Sequence, residues 1–230
     1  LHRVDRRQRQ MCIRDSPEPI GEVWVDSFSQ PDTTDGVDIL VVIDTSCSMG
    51  DNETQLLAGV EAFMNNLPEA DWRLNMIPAS PDKVLTEQQF PLVPGDDIAD
   101  AKQMYDGMTQ TGHLEEGFNA AQDYILSNPY ASTWLRWDAA LLIVFVSDEE
   151  EQSNMSVDDF TDWLDDYRSS VFMSSIINLD PAESLCNVST SYAGYRYEEA
   201  TLTYSGVVMD ICSKDWTDGV RDASNSIDPI

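Results

Sequence analysis

The sequence predicts a doubly wound α/β domain built on a mostly parallel sheet, and three observations carry that prediction. Two continuous apolar runs, VDILVVID (residues 37–44) and ALLIVFV (140–146), each end at a polar cluster. Such runs, without polar alternation, suit strands buried on both faces. Segments with helical spacing of apolar residues lie between the strand-like runs, and an alternation of strand and helix is the pattern of a parallel sheet covered on both sides.

Taken in order, the first strand, 37–44, is followed by NETQLLAGVEAFMNNL, where Leu56, Leu57, Val60, Phe63, Met64 and Leu67 form one helical face. WRLNMIPAS (72–80) predicts a second strand, and KVLTEQQFPLV (83–93) an irregular or edge segment, because Pro91 cannot donate to a ladder. DDIADAKQMYDGM reads as a short helix. The stretch TQTGHLEEGFNAAQDYIL begins as a loop and becomes helical, with Leu114, Phe118, Ala121 and Ile125 roughly on one face. Strand 140–146 comes next, then an amphipathic helix VDDFTDWLDDYR, a strand SVFMSSIINL, a helix YRYEEATLTYSG closed by Gly206, a strand VVMDIC and a final short helix.

Residues 1–16 stand apart. RRQRQMCIRDS (6–16) resembles a translated sequencing adapter, and five arginines without an apolar core make residues 1–16 a poor signal peptide. We treat 1–16 as an artefact, 17–36 as a Pro/Gly/Asp-containing lead-in and 37–230 as the domain. The true N-terminus is then expected to be missing, and the lack of a secretion signal carries no information.

Setting 1–16 aside removes five of 13 basic and two of 42 acidic side chains, leaving a net charge of −32. A field of that sign repels phosphate backbones, so nucleic acid and anionic membrane surfaces are unsuitable partners and cations are the natural counter-charge. A solvated acidic surface accounts for part of the charge. About 210 residues suit one domain with a sizeable core, and no apolar run approaches the roughly 20 residues of a membrane helix. Beyond residue 16 there are one histidine, His113, expected on the surface at a helix start, and three lysines, Lys83, Lys102 and Lys214. A Ser-His-Asp triad, a histidine-rich zinc site or a Walker lysine has little to be built from.

In an open α/β sheet ligands bind outside the carboxyl ends of the strands. Asp44 and Asp148 each follow a buried strand at that end, and Ser46 and Ser48 alternate with Asp44 in a tight loop. Carboxylates with hydroxyls, and no thiolate or imidazole, describe a hard-cation site for Mg²⁺, Mn²⁺ or Ca²⁺. Each feature also has an ordinary reading: Ser48-x-x-Asp51 as a helix cap, and Asp148 as a strand-end carboxylate.

Together these residues resemble the von Willebrand factor A-type domains and their metal-ion-dependent adhesion site. DTSCS matches the D-x-S-x-S motif, GMTQTG the threonine loop and VFVSDEE the third-segment aspartate, in the family's order. WLRWDAALLIVFVSDEEEQS and YEEATLTYSGVVMDICSKDW further resemble a bacterial extracytoplasmic branch, so the likeness runs from about Phe28 to Trp216. It implies Asp44, Ser46, Ser48, Thr109 and Asp148 as metal-site residues, with Thr109 preferred to Thr111 as the first threonine of T-x-T-G. It further implies an open coordination position for a partner's carboxylate, and no catalytic residues. For Cys186 and Cys212 spacing leaves a disulfide and two reduced thiols equally open; the resemblance implies the disulfide. The sequon-like triplets at Asn52, Asn154 and Asn187 are chance matches in a bacterial branch.

Two positions depart from the family. Cys47 stands where glycine is usual, which restricts positive φ and places a thiol near a helix N-terminus and a cation. Glu149 replaces a glycine, and Glu149 to Glu151 form either extra negative charge beside the ion or a solvated acidic turn. The expected function is a non-catalytic module that captures an extracytoplasmic protein or glycan through an acidic group and a divalent cation. The alternatives are a metal-dependent hydrolase or phosphoryl-transfer enzyme using Asp44 and Asp148, disfavoured by the absence of lysine from either motif, and a structural envelope module with an unused site.

Overall fold

The computed structural model describes residues 36–67, 71–108, 115–186 and 189–225. Expectations for residues 1–35, for Thr109, Thr111, Gly112, His113 and Leu114, and for Asn187 lie outside the described residues.

Five strands, β1 (Val37–Ile43), β2 (Trp72–Pro78), β3 (Ala140–Ser147), β4 (Val171–Ile177) and β5 (Val207–Asp210), form one parallel sheet in the order β2-β1-β3-β4-β5. The helices are α1 (Glu53–Asn66), α2 (Pro81–Val84), α3 (Ile98–Gly107), α4 (Gly117–Ser127), α5 (Ala131–Trp134), α6 (Val157–Tyr167), α7 (Tyr195–Thr203) and α8 (Thr217–Asn225), with 3₁₀ turns at Cys47–Asn52 and Thr190–Tyr192. All residues of β1 and β3 are buried because helices cover both faces. Alternation along β1 divides the core: Ile39, Val41 and Ile43 pack with Leu56, Val60, Phe63, Met104 and Val220, while Leu40 and Val42 pack with Phe118, Tyr124, Phe160 and Tyr197.

The sheet is thus doubly wound, as expected. Segment 83–93 is in part an edge: Leu74 and Leu92 exchange backbone bonds at 3.0 and 2.7 Å in an isolated antiparallel bridge. Its start, however, is the single helical turn α2. The helix expected to close at Gly206 ends at Thr203, and Ser205 takes the positive φ of 54°. Gly206 is needed for a different reason, since a Cβ there would sit 1.9 Å from the Met173 carbonyl oxygen of β4.

The strand order matters for the site. From β1 the chain moves to β2 on one side and then to β3 on the other, so the topology switches between β1 and β3. A crevice opens outside the carboxyl ends of the strands at such a point.

Candidate metal centre

Asp44 is the first residue beyond β1. Its amide donates to the Val146 carbonyl at 2.8 Å, continuing the β1–β3 ladder by one residue, while Ala79 N–H binds the Ile43 carbonyl at 2.7 Å. Held from both neighbouring strands, the Asp44 side chain is fully buried. Its Oδ1 accepts the Ser46 amide at 2.7 Å and its Oδ2 accepts the Ser147 hydroxyl at 3.1 Å.

Ser46 is the N-cap of the 3₁₀ turn, yet its hydroxyl makes no capping bond. It lies 2.7 Å from the Ser48 hydroxyl instead, and Ser48 Oγ donates to Asp148 Oδ1 at 3.1 Å. The capping reading of Ser48 is therefore corrected, because its hydroxyl is directed across the crevice to the end of β3. Asp148 is positioned through its backbone, whose carbonyl accepts the Asn178 side-chain amide from the end of β4. The structure thus brings together Asp44, Ser46, Ser48 and Asp148 from the ends of β1 and β3; Thr109 lies outside the described residues.

Charge at this cluster is unbalanced. Burial, with a further contribution from the Asp148 charge, raises the Asp44 pKa to about 6, although bonds from Ser46 and Ser147 oppose the rise. Among the described residues no Lys or Arg forms an ion pair with either carboxylate. No group of three His, Cys, Asp or Glu side chains among them is arranged to hold a metal, so an ion here depends on hydroxyls as well as carboxylates. Two carboxylates and two hydroxyls that bond only within the cluster, without a counter-charge, fit a hard divalent cation.

Cys47 is exposed beside the cluster as a free thiol. Ser205 is the one non-glycine residue with positive φ among those described, so cysteine occupies the usual glycine position without left-handed backbone.

Within the acidic run after Asp148, Glu149 and Glu150 are half-buried and Glu151 is not solvated. Glu151 is 2% exposed and accepts bonds from Phe118 N at 3.2 Å, Tyr197 Oη at 3.0 Å and Ser153 N at 2.8 Å. Arg196 reaches over from α7, donating to the carbonyls of Glu151, Ser153 and Met155. Gly117, at the start of α4, leaves room for the Tyr197 hydroxyl, which a Cβ would meet at 2.5 Å. Sequence reasoning missed these supports, as it missed Glu115. That side chain is 2% exposed, and burial together with the charges of Asp44 and Glu149 raises its pKa to about 7. Its carboxylate and carbonyl both accept from Gln152, on the Asp148 loop.

A doubly wound sheet with a carboxylate and hydroxyl cluster at its switch point defines an open α/β domain with a candidate cation site. The family model for the von Willebrand factor type A domain matches residues 38–205, and the chain belongs to that family. Among solved structures, a von Willebrand factor type A protein from Catenulispora acidiphila aligns at TM-score 0.53 and 11% identity, over 83% of this chain and 42% of its own. The ArnB paralog VWA2 from Sulfolobus acidocaldarius aligns at TM-score 0.53 and 13% identity, over 84% and 45%. The chain spans less than half the length of these structures, and the likeness concerns fold. No curated protein sequence matches the chain. Domains of this family generally act as interaction modules and commonly bind a divalent metal. The Cys186–Cys212 disulfide implied by the resemblance is present, with Cα atoms 5.6 Å apart. Among the described residues no helix is long and apolar enough to cross a membrane.

Proposed function

We propose that this domain is a non-catalytic binding module that captures an acidic group of an extracytoplasmic partner through a divalent cation, Mg²⁺ or else Mn²⁺ or Ca²⁺. The observation that carries this reading is the hydrogen-bonded cluster of Asp44, Ser46, Ser48 and Asp148, which has no ion-paired Lys or Arg among the described residues. In this reading those four residues, with Thr109, would hold the ion directly or through water. The bound ion would supply a Lewis-acidic position for a carboxylate oxygen of the partner.

The chain's own residues prepare the site. The Ser46 amide and Ser147 hydroxyl orient the Asp44 carboxylate, and Asn178 holds the backbone of Asp148. Ligands fixed before the ion arrives lose little conformational freedom on binding. The overall negative charge repels an anionic partner everywhere except at the ion, which makes capture dependent on metal. The disulfide supports an oxidising, extracytoplasmic setting.

Calorimetric titration of Mg²⁺, Mn²⁺ and Ca²⁺ into the protein and into Asp44→Ala and Asp148→Ala variants tests the reading. Saturable binding near one ion per chain, lost in both folded variants, supports it. Weak binding that the substitutions leave unchanged means that the acidic surface merely condenses cations, and the reading fails.

A further inference from the structure

The segment between β4 and α7 leaves the sheet at the same end as the candidate metal centre and is tied to it. Asn178 begins the segment and donates to the Asp148 carbonyl, while Gly194 N–H returns to the Asn178 carbonyl at 2.9 Å. At its far end the Arg196 amide donates to the Glu150 carboxylate at 3.2 Å. The segment therefore adjoins the loop that carries Asp148.

On this segment and at the first residue of α7, three large apolar side chains stand in solvent: Leu185 is 76% exposed, Tyr192 49% and Tyr195 40%. Leu185 is not presented by a loose tip. Asp210, at the end of β5, accepts its amide at 2.6 Å and the Ser184 hydroxyl at 3.3 Å, and the neighbouring Cys186 is bonded to Cys212. Tyr195 is fixed by its hydroxyl, which donates to Asp180 at 2.6 Å. An aliphatic side chain held out of the core by a disulfide and a carboxylate contributes nothing to burial within this chain. Pre-ordered apolar anchors of this kind are what protein contacts use, because little entropy is lost when they are covered.

The charge around them narrows the partner. Glu149, Asp180 and Glu183 lie on the same two loops. An acidic glycan brings anionic groups without cations and meets repulsion at this rim. A protein surface can combine one carboxylate with apolar and basic neighbours.

We propose that Leu185, Tyr192 and Tyr195 form an apolar rim beside the metal centre, and that the partner is a basic protein surface presenting one carboxylate next to an apolar side chain. This rests on the metal-dependent reading above. The probe is a phage-displayed random dodecapeptide library, panned on the Mg²⁺-loaded protein and eluted with a chelator. The selected peptides are then titrated against the wild type and a Leu185→Ser/Tyr192→Ser variant, whose candidate metal residues are untouched, and Mg²⁺ is titrated into both.

The expected pool carries an Asp or Glu within a few residues of an apolar side chain, has net positive charge, and binds the double variant at least roughly tenfold more weakly while Mg²⁺ binds both proteins equally. Peptides that bind both proteins equally, a pool without apolar or basic preference, or no chelator-eluted peptide from a protein that does bind Mg²⁺ each overturn the rim and leave the metal reading standing. Failure of Mg²⁺ to bind the wild type removes the metal reading and the rim with it.

Discussion

The Glu151 carboxylate accepts the phenolic proton of Tyr197 at 3.0 Å, joining the loop that carries Asp148 to α7. The same carboxylate receives the Phe118 amide of α4, so three elements meet on one buried acid three residues after Asp148. Removing it in Glu151→Ala leaves the Phe118 and Ser153 amides and the Tyr197 phenol without their acceptor, and takes away the charge 4.0 Å from the Arg196 guanidinium, which keeps its carbonyl partners. The expected loss is about 3 kcal/mol in urea unfolding, with Tyr197→Phe costing only about 1 kcal/mol because a single bond is lost. A loss under about 1 kcal/mol for Glu151→Ala would show that water replaces the network.

Glu115 sets a pH dependence. Its pKa in the folded protein is raised from 4.5 to about 7, chiefly by burial. A carboxyl whose folded pKa lies above its unfolded value favours the folded state while protonated, and that advantage is lost as pH rises from about 4.5 through about 7. The metal-free protein should therefore lose stability over this window by an amount on the order of 2 kcal/mol, and Glu115→Gln should remove that part of the dependence. Thermal melts of both proteins between pH 4.5 and 8 check it. Parallel profiles would mean that Glu115 titrates normally.

β1 and β3 announced themselves as runs dominated by apolar residues, and the motif residues at their ends could be placed because a parallel sheet directs strand ends to one side. Glu151, Glu115, Arg196 and Asn178 had no such signal. Each acts through a partner distant in sequence, as Phe118 and Glu151 do across 33 positions, and no local spacing encodes that pairing. Asp38 was hidden by its own strand: a single acid among the apolar residues of VDILVVI passes unnoticed, and its partner Arg136 lies 98 positions away. The one-turn helices α2 and α5 are too short to show a period.

Asn178 and the disulfide lie close together, the Asn178 side-chain oxygen being 3.6 Å from Cys212 Sγ. The bridged sulfur carries no proton, so this is a packing contact. The bond from Asn178 to the Asp148 carbonyl ties the end of β4 to the candidate metal centre. Asn178→Ala should weaken Mg²⁺ binding roughly tenfold, as loss of a supporting shell commonly does. The Cys186→Ser/Cys212→Ser variant opens a loop with a sequence separation of 26 and should lose about 3 kcal/mol of stability. Calorimetry and denaturant unfolding separate the two effects. Unchanged Mg²⁺ affinity in Asn178→Ala would show that Asp148 holds its place without it.

Arg136 anchors the opposite end of the sheet. Its side chain pairs with the fully buried Asp38 at 2.8 Å and with Asp71 at 2.6 Å, and it donates to the carbonyls of Val37 and Asp71. Burial raises the Asp38 pKa even against the pull of this guanidinium, which shows how strongly the interior disfavours the charge. Arg136→Ala strands that carboxylate and should cost about 3 kcal/mol or more, whereas adding Asp38→Asn in the same chain should recover part of the loss. Because Asp38 opens β1 and Asp44 follows its last residue, Mg²⁺ affinity should be the same in wild type and double variant. Denaturant unfolding measures the first effect and calorimetry the second. If the double variant also lost Mg²⁺ binding, the two ends of β1 would be mechanically coupled, and the site could not be treated as a rigid strand-end assembly.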